Sequence, residues 1–150
     1  VKKYSHPVIL SAHPRTQKRL QESNYAFDPK VSILKPLGFF DYVKLQMNAR
    51  VVLSDSGSIS EEASILGCSA INIRESHERP EAMEEAPVVM TGLNLERVFQ
   101  SIELLEQFDS HGQKNLKIVA DYQMPNVSEK VVRILHSYTD YVNRVVWKKY

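Results

Sequence analysis

Short apolar runs alternate with amphipathic stretches along most of this 150-residue chain. Val8, Ile9 and Leu10 form a run of buried-strand length that ends at His13 and Pro14, and residues 17–23 read as a short helix with Leu20 as its main apolar contact. A second run at 31–34 leads through Pro36, Leu37 and Gly38 into residues 39–49. There Phe39, Tyr42, Val43, Leu45 and Met47 fall at spacings compatible with a packed helix. Further strands are expected at 51–53, 70–73 and 88–90, with a helix over 61–66 stopped by Gly67 and a helical turn at 81–84. Leu95, Val98, Phe99, Ile102, Leu105 and Phe108 mark an amphipathic helix that Asn94 can cap. Residues 109–125 are polar and loop-like, interrupted only by Lys117, Ile118 and Val119, before a last helix over about 128–148.

Strands that alternate with helices imply an α/β fold, a Rossmann-like parallel sheet with flanking helices. Ligands of such sheets sit outside the carboxyl ends of the strands, where His13, Leu37, Gly38, 54–58 and 74–79 all fall, so one site is expected there. The last helix is apolar over a wide surface, from Val131 and Val132 through Tyr138 and Tyr141 to Trp147. Core packing accounts for its first half. Its 141–150 end is expected to pack on something absent from this chain.

Composition narrows this picture mainly by exclusion. The length supports one domain with a full core, and 43% hydrophobic and 25% charged residues are ordinary for a soluble globular protein. A net charge of +1 suggests neither nucleic acid nor a membrane surface as partner, and Arg15, Lys18 and Arg19 read as a solvated helix face. No apolar run approaches the ~20 residues of a bilayer span, and the first six residues lack the apolar region of a secretory signal. A single cysteine, Cys68, excludes an internal disulfide and fits a reducing cytoplasm; its position after a helix-stopping glycine and before a buried strand makes it structural filler. His6, His111 and His136 lack partners at ligand spacing, so no metal site is expected, and no cofactor is implied. The chain has no initiator methionine and enters a strand almost at once, as a fragment of a longer polypeptide would.

The candidate chemistry lies in residues 51–81. An apolar strand runs into Ser54, Asp55, Ser56, Gly57 and Ser58, then a short helix opening with Glu61 and Glu62, then a second strand and the charged loop 74–81. Free N–H groups at a helix start attract anions, and small residues let a phosphate approach. Arg74 and Arg79 can reach the same crevice, while a glutamate early in the helix can hold hydroxyls; together these point to a nucleotide sugar. Plainer readings stand beside this one. Residues 56–58 can be a helix cap and nothing more. The arginines can pair with Glu75, Glu78 or Glu81 at the surface, where such pairs contribute little. Adjacent helix residues face different directions, so Glu61 can be solvent-exposed while Glu62 binds ribose.

The same segment resembles the non-hydrolysing UDP-N-acetylglucosamine 2-epimerases, whose motifs read DSGGIQEE and R-x-x-T-E-R-P-E. Asp55, Ser56, Gly57, Ile59, Glu61 and Glu62 match the first, and Arg74, Glu78, Arg79, Pro80 and Glu81 match the second at the family spacing. Ser58 stands for the second glycine, Ser60 for the glutamine and His77 for the threonine. Residues 36–48 are similar to the segment that sets an aromatic against uracil, which puts that aromatic at Tyr42, with Leu37 where the family has glutamine. His13 and Pro14 resemble an element near a regulatory substrate site.

The resemblance implies that residues 1–150 are the C-terminal, UDP-binding domain of a two-domain glycosyltransferase-B-type fold. It implies UDP contacts from Tyr42, Ser56, Gly57, Ser58, Glu62 and Arg79, with His13, Asp55, Glu61, Arg74 and Glu78 around them. No catalytic residue falls in this chain, because the family's acidic base lies in an N-terminal domain that has no counterpart here. The implied reaction of the whole enzyme removes the C2 proton of a UDP-N-acetylhexosamine, expels UDP by anti elimination and re-adds it to the 2-acetamidoglucal, with a proton returned to C2 on the other face. UDP, the UDP-sugar and the missing domain are then the partners, with a homodimer when full length. Residues 13–20, 77–81 and the 126–149 tail look closest to the capsule and O-antigen branch that forms UDP-N-acetyl-L-fucosamine. The alternatives from other classes are a UDP-sugar glycosyltransferase of the same architecture and a non-catalytic nucleotide-binding module.

Overall fold

The computed structural model describes residues 1–76, 78–110 and 118–149, the side chains of Asp109 and Ser110 excepted. Readings placed on His77, His111 and Lys117 therefore lie outside the described residues. The chain divides into two compact units, Val1–Ala49 and Arg50–Tyr150. All strand pairs are parallel, as an α/β alternation demands, but they form two sheets of two and three strands rather than the single sheet expected.

The first unit is a βαβ arrangement with a further helix. β1 (Val8–Ser11) pairs with β2 (Val31–Leu34), Val8 opposite Val31 and Ser11 opposite Leu34. α1 (Pro14–Glu22) starts three residues earlier than its periodicity suggests. Proline at the first helical position needs no N–H partner and brings a helical φ, while His13 Nδ1 accepts from the Arg15 N–H at 3.3 Å. Gln17 fastens the two strand ends, its Nε2 donating to Ala12 O at 3.1 Å and Leu34 O at 3.0 Å. α2 (Phe39–Asn48) buries only Gln46, and its Phe39, Phe40 and Met47 are exposed. Val8 and Ile9 are exposed as well, so neither the buried first strand nor the packed second helix is realised. Two strands offer too little surface to cover both faces of a parallel ladder and a helix.

The second unit holds the core. β3 (Val52–Ser54), β4 (Ala70–Asn72) and β5 (Val88–Met90) lie in that order, with β4 central. All three β4 residues are buried, as a middle parallel strand covered on both faces requires. α3 (Ile59–Leu66) packs Ile59 and Ala63 into the same cluster as Ala70, Ala82 and Val88. Complete burial of a side chain the size of Ile59 or Ile71 contributes roughly 1.5–3 kcal/mol. α4 (Ala82–Glu85) supplies Ala82, and α5 (Leu95–Ser110) buries Val98, Ile102 and Leu105 at helical spacing, with Asn94 Oδ1 accepting from the Arg97 N–H at 3.1 Å as its expected cap.

α3 ends where Gly67 turns left-handed at φ +66°, its N–H donating to Ala63 O at 2.9 Å. A Cβ there would meet nothing within 4 Å, so only the backbone resists substitution. Gly67→Ala is expected to lower stability by about 1 kcal/mol in urea melts with the m-value unchanged. A wild-type midpoint would show that the turn can relax elsewhere.

Beyond α5 the loop-like reading gives way to packing. Val119 is buried and donates its N–H to Ser64 Oγ at 3.0 Å, and a 3₁₀ turn, Ala120–Gln123, lays Tyr122 against the core cluster. α6 (Val127–Val145) ends three residues before the expected limit. None of its residues is buried; Val131, Val132, Ile134 and Leu135, expected in the core, are each about half exposed. The strongly two-faced helix forms, but its apolar face stays exposed.

Candidate functional site

The carboxyl ends of β3 and β4 deliver the two loops that the sequence singled out. Ser54 closes β3, and its Oγ accepts from the Ser56 N–H at 3.1 Å; Ser56 Oγ accepts from the Ser58 N–H at 3.3 Å and lies 2.9 Å from Ser58 Oγ. Each serine thus bends the chain for the next. Ser58 occupies the cap position of α3 but makes no side-chain cap bond. Its hydroxyl instead donates to Glu62 Oε1 at 2.7 Å, one turn on. Ser58 thus caps α3 by position only and turns its hydroxyl to Glu62. Asp55 is exposed in the middle of this turn.

From β4, Asn72 Oδ1 accepts from the Arg74 N–H at 3.0 Å, which aims the second loop back over the turn. Arg74 Nη2 meets Glu78 Oε1 at 2.5 Å. Arg79 Nε donates to Glu61 Oε1 at 2.6 Å, and its Nη1 donates to the Glu78 carbonyl at 3.0 Å. Both arginines therefore have carboxylate partners. That of Arg79 is not one of the loop glutamates but the first helix glutamate, eighteen residues back in sequence. Glu61 is half-buried, with its second oxygen enclosed and without a hydrogen bond, so the solvent-exposed reading of this residue is corrected. The bond from Arg79 to Glu61, then the Glu61 charge, raise the Arg79 pKa above its ordinary value.

Below the loop, Tyr122 Oη donates to Glu81 Oε1 at 3.0 Å. Burial, followed by this bond and the Glu81 charge, pushes the tyrosine up to about 12. It stays a neutral donor that anchors the loop to the core. Ser60, almost fully buried, and Asn72, Met83 and Met90 line a small cleft with Gly57, Arg74 and Arg79. Sequence reasoning passed over Tyr122 and Asn72. Only the family position of Ser60 marked it, and Tyr122 lies in a stretch without periodicity.

The remaining candidates lie on other elements. Tyr42 is half-buried on α2 and His13 caps α1, both in the Val1–Ala49 unit. Cys68 is buried, and burial first of all raises its pKa, so it holds its proton as inert filler does. Among the described residues no cluster of three or more His, Cys, Asp or Glu could hold a metal, and no helix is long and apolar enough to cross a membrane.

What the cleft can do follows from its parts: hydroxyls and backbone N–H groups at a helix start, two guanidinium groups, and carboxylates able to accept from hydroxyls. Such a set suits an anion joined to a polyol. Comparison with known proteins gives this a family. The model of the family described as UDP-N-acetylglucosamine 2-epimerase matches residues 1–136. A UDP-N-acetylglucosamine 2-epimerase of Methanocaldococcus jannaschii is 38% identical over 107 residues, covering 68% of this chain and 29% of its own. The solved structure of such an epimerase from Rickettsia bellii is 45% identical, with a TM-score of 0.82 over 99% of this chain and 41% of that one. The M. jannaschii enzyme in complex with UDP-GlcNAc and UDP is 32% identical, with a TM-score of 0.76 over 91% of this chain and 37% of that one. This chain thus spans about a third of its curated relatives and about two fifths of the solved chains. Its motifs, its parallel α/β architecture and these matches together make the chain a member of the UDP-N-acetylglucosamine 2-epimerase family.

Proposed function

We propose that this chain is the C-terminal, UDP-binding half of a UDP-N-acetylhexosamine 2-epimerase with glycosyltransferase-B-type architecture. The observation that carries the proposal is the meeting of the 54–58 turn with Arg74 and Arg79 at one end of the three-stranded sheet. A relative of the same fold whose structure is in complex with UDP-GlcNAc and UDP supports it. In this reading Ser56, Gly57, Ser58 and Arg79 hold the diphosphate, Glu62 the ribose, and Tyr42 stacks on uracil. Asp55, Glu61, Arg74 and Glu78 shape the surroundings, and His13 keeps to its cap.

The chemistry needs two things. The C2 proton of the sugar is poorly acidic, so a positioned carboxylate must remove it, and the departing diphosphate must be stabilised. This chain supplies the second. A cradle of hydrogen-bond donors and two guanidinium groups favours UDP as it leaves by anti elimination, and holds it until it re-adds to the 2-acetamidoglucal with a proton delivered to the other face. The base belongs to an N-terminal half, and the exposed apolar face of α6 supports a packing surface of that kind. The 77–81 and 126–149 segments favour the UDP-N-acetyl-L-fucosamine-forming branch, hence surface-polysaccharide synthesis in the cytoplasm by a homodimer.

The decisive experiment incubates a protein carrying both halves with UDP-N-acetylhexosamine in deuterated water. Deuterium at C2 of recovered sugar, beside the inverted epimer, is the expected outcome. Transfer to an acceptor without exchange would make the protein a glycosyltransferase instead. The 150-residue chain alone is expected to bind UDP weakly and turn nothing over.

A further inference from the structure

Gly57 is the one residue of the 54–58 turn without a side chain, and the space a side chain would take is filled. A Cβ built there would stand 2.6 Å from Glu78 Oε2 and 3.5 Å from Arg74 Nη1. The other Glu78 oxygen is the one on Arg74 Nη2 at 2.5 Å. One carboxylate thus lies against the glycine with one oxygen and takes up a guanidinium with the other. A phosphate approaching the turn over Gly57 would need that same space. Both are oxyanions that accept from Arg74, and they cannot be there together.

We infer that Glu78 is an internal plug of the diphosphate position, an autoinhibitory contact that the ligand must displace. This rests on the UDP reading of the same site. Two features make it a displaceable plug and not a fixed strut. The side chains of Glu78 and Arg74 are 42% and 32% exposed, and ion pairs at such exposure contribute little, so the exchange is cheap. Three carboxylates, Glu61, Glu62 and Glu78, also stand among only two guanidinium groups, and an entering diphosphate is repelled until one leaves. Glu78 alone of the three belongs to the loop rather than to α3, and is free to swing into solvent. Its Arg74 partner then passes to the phosphate. The ligand binds in full only to the fraction of molecules with the plug out, which lowers its apparent affinity by that fraction.

The test uses the isotope-labelled 150-residue chain, titrated with UDP and with uridine while the amide resonances are followed. Glu78→Gln removes the charge; Glu78→Asp keeps the charge but shortens its reach to Gly57. Both variants are expected to bind UDP about three- to tenfold more tightly than the wild type and uridine equally well. If Glu78→Asp binds UDP like the wild type while Glu78→Gln gains, general repulsion is at work and the plug is overturned. Equal UDP affinity in all three, or weaker binding by the variants, overturns it too but leaves the UDP site standing. No response to UDP in any of the three proteins removes the UDP reading itself, and the plug with it.

Discussion

Replacing Ile71 with alanine is expected to destabilise the Arg50–Tyr150 unit by about 2–5 kcal/mol. Ile71 is the middle residue of the middle strand and is fully buried, with β3 paired on one side and β5 on the other. Truncation removes the transfer free energy of three carbon atoms and leaves a hollow that two ladders prevent from collapsing. Set against a usual domain stability of about 5–15 kcal/mol, the loss is enough to populate unfolded chain near physiological temperature. Urea denaturation followed by circular dichroism measures it. Ile65→Ala, on the exposed face of α3 at 56% accessibility, is the control and should stay within about 0.5 kcal/mol. Equal midpoints for the two variants would mean that β4 is not the centre of the core.

The second large effect is on binding. Under the proposed function, Arg79→Gln should weaken UDP binding roughly 10- to 100-fold, the loss of one charge-assisted contact to phosphate. Two effects combine in this figure. The guanidinium is lost to the diphosphate, and Glu61, already carrying an enclosed oxygen without a hydrogen bond, is left without its cationic partner. Arg97→Gln, which breaks only an exposed contact to Gln100 on α5, should leave the affinity as it was. Calorimetry against UDP, with circular dichroism to confirm the fold, makes the comparison. An Arg79→Gln chain that keeps its fold and binds UDP within twofold of the wild type would take Arg79 out of the site. The two loop residues are expected to act in opposite directions, Arg79 for the ligand and Glu78 against it, although they are adjacent.

The elements legible in the sequence are those whose signals are local. α3 declares its end through Gly67, which meets the left-handed backbone of the C-cap, and α5 its beginning through Asn94. The strands β3, β4 and β5 appear within a residue of their apolar runs. The candidate turn and charged loop are legible because their residue types and spacing resemble the motifs of one family, whose model covers residues 1–136. What could not be read is where amphipathic surfaces go. α2 and α6 carry apolar stripes as regular as that of α5, yet only α5 buries its stripe. Periodicity reports that a face exists; the partner surface is supplied by other parts of the fold.

The same division runs through the site. By itself the chain's sequence determines the α/β class, the small-residue turn before a helix, and the two arginines and the glutamates within reach of it. These follow from nearest-neighbour chemistry: β-branched runs, capping residues, and spacing along a helix or a strand. Only the tertiary structure decides who partners whom. It pairs Arg79 with Glu61 across eighteen residues, sets Tyr122 on Glu81 across forty-one, and lays Glu78 on Gly57. Hydrogen bonds and ion pairs are satisfied over about 3 Å, and two residues far apart in the chain come that close only once strands, crossovers and core have been packed.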